Sequence, residues 1–184
     1  MNNFGVLEVD PNDLLLKLEQ QLQQSGTPPG SNLPGAGLGD RAFLSLFPDK
    51  LHLENPVATE FVTIRPVNFP VWQGVVTGAG RDYTGFDASL VLTCFIQMSA
   101  DPEMKNTNAI SEMTRSVTTL VFKVLSAVQF WTPQDADGND MLREYARIPD
   151  GGFQFTPVDG SGGPWVKVAL AYQMKFTAKL PALG

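Results

Sequence analysis

The stretch SLVLTCFIQMS, residues 89–99, is apolar at both of its alternating sets of positions. One set includes Leu90 and Leu92, and the other includes Val91 and Phe95. Because successive side chains of a strand point to opposite faces of a sheet, a strand with one wet face carries polar residues at every second position. This strand is therefore predicted to be covered on both faces, and other parts of the chain or a partner must supply both covers.

The end of the chain contains a second strand signal, WVKVALAYQMKFTAKL, which alternates between apolar and polar residues. One face carries Val166, Val168, Leu170, Tyr172, Met174 and Phe176, and the other carries Lys167, Gln173, Lys175, Thr177 and Lys179. Strict alternation of this kind predicts a half-buried strand.

Two stretches have the periodicity of amphipathic helices. The first, residues 10–26, has Asp10 as a candidate N-cap, Pro11 at the first helical position and Gly26 after the last turn. Its apolar stripe consists of Leu14, Leu15, Leu18 and Leu22. The second stretch, AISEMTRSVTTLVFKVLSAVQ, places apolar residues on one side at a period near 3.6, with Asn108 as a candidate cap.

The order of these elements predicts an α+β fold: a mostly antiparallel sheet with an amphipathic helix packed on one face, and an N-terminal helix. The length of 184 residues fits a single domain, 1–184. Residues 26–40 are rich in Gly and Pro and are predicted to be a flexible connection, and residues 72–87 are predicted to be an extended hairpin arm. For residues 41–56 a short helix and a packed loop both stay open.

The composition restricts the possible partners. Charged residues make up 17% of the chain and the net charge is −6, so the positive field that gathers nucleic acid is absent and sequence-specific DNA binding is disfavoured. The N-terminus does not resemble a secretory signal, and no apolar run approaches a membrane span, so we expect a soluble protein that is made in the cytoplasm. The single cysteine, Cys94, lies in an apolar strand and is predicted to be a buried structural thiol.

The residues offer little for catalysis or for metal binding. His52 is the only histidine, which leaves no partner for a metal site or a Ser/His/Asp arrangement. The stretch DADGND, residues 135–140, resembles the start of a calcium loop but has Asp140 at the position of the loop glycine and Ala146 at that of the final glutamate, so a solvated turn is predicted. GAGRDYTG does not match a phosphate-binding loop. We therefore expect no enzymatic activity, no cofactor and no metal.

Large aromatic residues next to glycine-rich turns are candidate contacts with other subunits or partners, although burial in the core is an equally open alternative. The candidate contact residues are Trp72, Gly78, Gly80, Arg81, Tyr83, Phe86, Trp131 and Trp165.

The succession of a helix like DLLLKLEQQLQQ, a strand and arm like VTIRPVNFPVWQGVVTGAGRDYTGFDASLVLTCFIQM, a helix like ISEMTRSVTTLVFKVLSAVQ and a final strand like VKVALAYQMKFTAKL resembles the tail terminator family of long-tailed bacteriophages. The resemblance extends from Asp10 to Leu180. It implies a structural virion protein, without catalytic residues, that forms a homohexameric ring on the finished tail tube and joins it to a head-completion or neck protein.

The resemblance also implies that DNA passes through the ring without sequence-specific binding. An acidic channel wall would repel the strand, whereas a solvated surface is the alternative place for these acids. The candidate lining residues are Asp101, Glu103, Asp135, Asp137 and Asp140. In this arrangement the second helix covers one face of strand 89–99, and the first helix or a neighbouring subunit covers the other.

Two other classes of function stay open. Another tail, baseplate or head-completion protein of a phage would share the acidic composition and the lack of catalytic residues. A small-ligand-binding α+β protein would use the glycine-rich loops to shape a pocket.

Overall fold

A computed structural model describes residues 9–68, 71–78, 81–98, 107–149 and 153–179. The helices are α1 (Pro11–Gln23), α2 (Asp49–Glu54) and α3 (Thr107–Val128), and a 3₁₀ turn spans Gly39–Arg41. The strands are β1 (Ala42–Leu44), β2 (Glu60–Asn68), β3 (Val71–Gly78), β4 (Arg81–Gln97), β5 (Phe155–Gly160) and β6 (Gly163–Lys179).

The strands form one sheet in the order β1-β2-β4-β6-β5, and β3 pairs with the first part of β4. Only β1 and β2 run parallel to each other; the other pairs are antiparallel. The predicted α+β fold with a mostly antiparallel sheet is therefore confirmed. Residues 49–54 form a short helix, which decides the alternative that the sequence leaves open for this segment.

The longest element of the sheet is the β4–β6 pair, which runs from Tyr83 opposite Lys179 to Gln97 opposite Trp165. β3 joins β4 in a hairpin that closes at Gly78 opposite Arg81. The predicted arm 72–87 thus corresponds to β3 and the first part of β4, and β6 lies along the other side of β4 over the same stretch.

One face of the sheet carries the main core. The even-numbered residues of β4 and β6, such as Leu92 and its partner Leu170, pack against α1 and α3. From the helices, Leu18 and Val121 reach zero exposure in this cluster. Both helices therefore lie in a single layer on the same face of the sheet.

The opposite face is covered at one end by α2. There Leu53 of α2 packs with Phe61, Phe95 and Trp165 in a second, smaller cluster. The expectation that α1 covers this face is wrong, because the stripe of α1 is already buried beside α3 on the other face. Beyond α2, Ala169 and Ala171 of this face are exposed.

Side chains of α1 close the β1 edge of the sheet. Glu19 Oε1 accepts a hydrogen bond from the Leu44 amide at 2.9 Å, and Gln23 Nε2 donates to the Ala42 carbonyl at 2.8 Å. Unpaired backbone groups on an edge strand invite pairing with another chain, so these two bonds block that edge. The other end of the strand order is β5, which contains Pro157.

The C-terminal end of α3 is held by polar side chains inside the apolar core. The last carbonyls of a helix have no partner within it. Gln21 Nε2 of α1 donates to the Ala127 carbonyl at 3.0 Å, and the Tyr172 hydroxyl of β6 donates to the Val128 carbonyl at 3.0 Å. These bonds join α1, α3 and β6 at one point, and burial raises the pKa of the Tyr172 hydroxyl well above its usual value.

Residues 26–40 are irregular apart from the 3₁₀ turn, and they are tied to α1. The amides of Ala36 and Leu38 donate to the carbonyls of Gln21 and Leu22, both at 3.0 Å. Gln21 Nε2 also donates to the Leu33 and Pro34 carbonyls, at 3.1 and 2.9 Å. The flexibility of this connection stays a prediction, and these bonds oppose it.

Replacing Gln21 with Met is expected to destabilise the protein by about 3 kcal/mol, because three buried carbonyls lose their donor while the side-chain volume is kept. Urea unfolding followed by circular dichroism measures the change. The control is Gln24→Met on the exposed end of the same helix, which we expect to change stability by less than about 0.5 kcal/mol. Equal effects of the two substitutions would show that the buried amide is not a structural tie.

Candidate functional site

Two of the sequence-predicted contact residues are core residues. Trp131 is 1% exposed and donates from Nε1 to Ser31 Oγ at 3.1 Å; Trp165 is 0% exposed and donates to the Ser161 carbonyl at 3.1 Å. Their assignment as contacts is wrong because each indole N–H already has a partner inside the subunit. Gly160 lies next to Trp165 because a Cβ there would come within 2.6 Å of the indole.

The candidate contacts of the arm lie on the β3–β4 hairpin. The backbones of Trp72, Gly78, Arg81 and Tyr83 are paired strand residues, whereas Gly80 lies outside the described residues. Their role as contacts stays a prediction.

Phe86, the last candidate contact of the arm, is partly buried. Its ring stacks on Phe176 with centroids 5.5 Å apart, and it packs against the main core. At least part of this side chain therefore serves the fold of the subunit.

The acidic candidates for a channel lining are divided between two places. Asp101 and Glu103 lie outside the described residues, and Asp135, Asp137 and Asp140 lie in the turn after α3. Their role as a channel lining stays a prediction.

The turn at residues 135–140 is organised by its first carboxylate. Asp135 Oδ1 accepts from the amides of Asp137 and Asn139 at 2.9 and 2.8 Å, and hydrogen bonds from Asn139 lower the pKa of Asp135. This carboxylate organises a solvated turn, as predicted. Within the described ranges no cluster of His, Cys, Asp and Glu is suited to a metal ion.

The uncovered sheet face beyond α2 is the largest candidate assembly surface. We call it the open face and define it by Val91, Ala169 and Ala171, with buried Thr63 and Thr93 beneath them. Small side chains make it flat, and few rotamers would be immobilised by a protein that packs on it. None of the helices in the described ranges is long and apolar enough to cross a bilayer.

Ion pairs border the open face toward α2. Lys167 Nζ lies 2.5 Å from Asp49 Oδ2, and an Arg65 guanidinium nitrogen lies 3.4 Å from Asp49 Oδ1. These pairs lie at the side chains that follow the aromatic cluster along the strands, so the apolar end and the small-residue middle of this face are separated by charge.

A cavity of about 410 Å³ borders the open face at the base of the arm. It is lined by Asp87, Arg143, Glu144 and Lys175. Lys175 Nζ is 3.2 Å from both carboxylate oxygens of Glu144, and Arg143 Nε donates to Thr177 Oγ1 at 2.7 Å. Asp87 Oδ1 is buried and has no hydrogen-bond partner in the subunit, so it can accept a bond from a donor of another molecule.

Sequence reasoning missed the exposed residue at the end of α3. Phe130 follows the helix with φ of 66°, a conformation usually taken by glycine at the position after a helix cap. Its amide donates to the Ala146 carbonyl at 2.9 Å, and its ring is 54% exposed. The sequence signal was an aromatic residue in the place where the end of a helix favours Gly or Asn.

The two groups with chemical potential are engaged in packing. Burial raises the pKa of Cys94 to about 12, which confirms the predicted structural thiol. His52 Nε2 is 2.8 Å from Ser45 Oγ, and its ring makes edge contacts with Phe43, Phe47 and Phe61. Burial lowers the pKa of His52, with Asp49 opposing this shift and Arg65 adding to it.

Because the pKa of His52 is lower in the folded than in the unfolded chain, stability is expected to fall as the pH drops through about 6.5. The unfolded chain takes up the proton first in this range. Urea unfolding between pH 8 and pH 5.5 measures the loss, with His52→Gln as the comparison because it keeps a hydrogen-bonding group and does not titrate. Parallel pH profiles of the two proteins would contradict the assignment.

No family model matches the chain, and no curated protein matches it. It is similar to a chain of the solved structure "Virion of native gene transfer agent (GTA) particle", with 12% sequence identity and a TM-score of 0.37. The match covers 88% of this chain and 92% of that chain. A likeness at this level carries no argument about function.

Proposed function

We propose that this protein is a structural virion protein, a tail terminator that forms a ring on the tail tube and joins it to the head or neck. The observation that carries the proposal is the open face. α1 and α3 share the other face, and α2 covers one end only, so the middle of the β4–β6 pair has no cover from the described residues of the subunit.

The surroundings of the open face support a contact with another protein. Ala169 and Ala171 offer a flat surface, and Asp87 Oδ1 at its border has an unused acceptor site. A buried acceptor without a donor costs about 1–3 kcal/mol, and a donor from a partner would remove that cost. We assign the open face to the contact with the tail tube protein.

The overall charge agrees with a ring around a DNA passage. With a net charge of −6, the protein gives phosphates no general attraction, which suits DNA that slides past without sticking. The proposed role needs no catalytic residue, and within it the acidic turn 135–140 is a candidate for the passage wall.

Ala169→Glu is expected to leave the protein folded and able to form rings but to abolish capping of tube ends, because the substitution places a charge on the open face. Rings on the ends of tubes assembled from purified tail tube protein are counted by negative-stain electron microscopy. The control is Thr119→Glu, at an exposed position of α3 on the other side of the sheet, which should cap like the wild type.

Three outcomes count against this assignment. A wild-type protein that stays monomeric with and without tubes would contradict the ring, and a closed monomer that binds a small ligand would favour a binding protein. Normal capping by Ala169→Glu would remove the open face from the contact with the tube.

A further inference from the structure

Phe130 and Tyr145 form an exposed aromatic pair at the C-terminal end of α3. Their ring centroids are 5.0 Å apart in an edge-to-face arrangement, and they are 54% and 49% exposed. Backbone bonds hold them together, since the Phe130 amide donates to the Ala146 carbonyl and the Ala146 amide donates to the Trp131 carbonyl at 2.8 Å. We call this pair the aromatic knob.

The backbone at the knob is strained. Among the described residues, Phe130 is the only non-glycine residue with a positive φ. For a bulky residue this conformation is an outlier that glycine or asparagine would adopt at lower cost. The Asn32 side chain bridges the strained segment: its amide donates to the Phe130 carbonyl at 3.0 Å and its oxygen accepts from the Thr132 amide at 2.7 Å. The fold thus holds an unfavourable backbone in place while it exposes the ring.

An apolar groove lies toward the other end of α3. It has a volume of about 220 Å³ and is lined mainly by Met98, Met113, Val117, Phe155 and Val166. Along the helix axis Met113 and Phe130 are roughly 25 Å apart, at about 1.5 Å per residue. The knob therefore cannot enter the groove of its own subunit.

We propose that the aromatic knob of one copy inserts into the apolar groove of the next copy in the ring. This inference rests on the proposed ring. A knob and a groove on different parts of one molecule make a head-to-tail contact, and such a contact closes into a ring when the rotation between neighbours allows it. Aromatic residues are the usual anchors of interfaces, and the two methionines of the groove can adapt to a ring and make sulfur–aromatic contacts with it.

The first test separates assembly from folding. Phe130→Asn removes the ring and suits the positive φ, so we expect the thermal unfolding midpoint to stay or to rise by a few degrees. The concentration at which rings form, measured by native mass spectrometry, should rise by about thirtyfold or more. The control is Phe122→Gln, which removes a ring of similar exposure, 59%, from the outer face of α3 and should assemble normally.

The second test uses a mixture of two defective proteins. Phe130→Asn keeps an intact groove, and Met113→Glu keeps an intact knob while it places a charge in the groove. Each variant alone should stay monomeric, whereas a 1:1 mixture should give heterodimers that do not grow into rings. Such a dimer contains one functional junction and one defective junction on each outer side.

Each result decides one question. Heterodimers in the mixture and monomers in the separate samples support the knob-in-groove contact. Rings of normal stability from either variant would overturn it while leaving the proposed function in place. A wild-type protein that never forms rings would remove the proposed function first, and the contact with it.

Discussion

The fold depends on satisfying the carbonyls at the buried C-terminal end of α3. Water is excluded there, so each carbonyl needs a donor from another element. Gln21 of α1 and Tyr172 of β6 supply these donors from opposite directions. Gln21 also bonds the carbonyls of Leu33 and Pro34, so one buried amide sets the positions of two helices and the connecting segment together.

This arrangement explains why the subunit has one crowded face and one open face. Once α1 and α3 are joined at this point, both of their apolar stripes are used on the same side of the sheet. Only the six residues of α2 remain for the opposite face, and they shield the aromatic cluster of Phe61, Phe95 and Trp165 at one end. The middle of that face carries alanine and threonine, which tolerate partial exposure better than large apolar residues do.

The exposed features of the subunit share a physical character. The open face is flat and small, Asp87 keeps an unused acceptor atom, and Phe130 holds an exposed ring on a strained backbone. Each of these features is less favourable in an isolated subunit than a simple alternative at the same position would be. Strain and unused polar groups persist where the surrounding structure holds them, and they concentrate at functional sites.

The sequence by itself determined the local elements. Asp10 and Pro11 mark the start of α1, the alternation from Val166 to Phe176 marks β6, and the apolar surroundings of Cys94 predict its burial. These signals depend on neighbours along the chain or on the period of one element, so they can be recognised without knowing the fold.

Only the tertiary structure decided which surfaces meet. The period of a helix shows that it has an apolar stripe but not which face of a sheet the stripe covers, so α1 was expected on the wrong side. Trp131 and Trp165 seemed suited to contacts because of the glycine-rich turns near them, yet their burial depends on partners distant in sequence, with Ser31 bonding the Trp131 indole. Phe130 became visible as an exposed aromatic residue only when the end of α3 and the Ala146 carbonyl were brought together, because long-range contacts of this kind leave no periodic pattern in the chain.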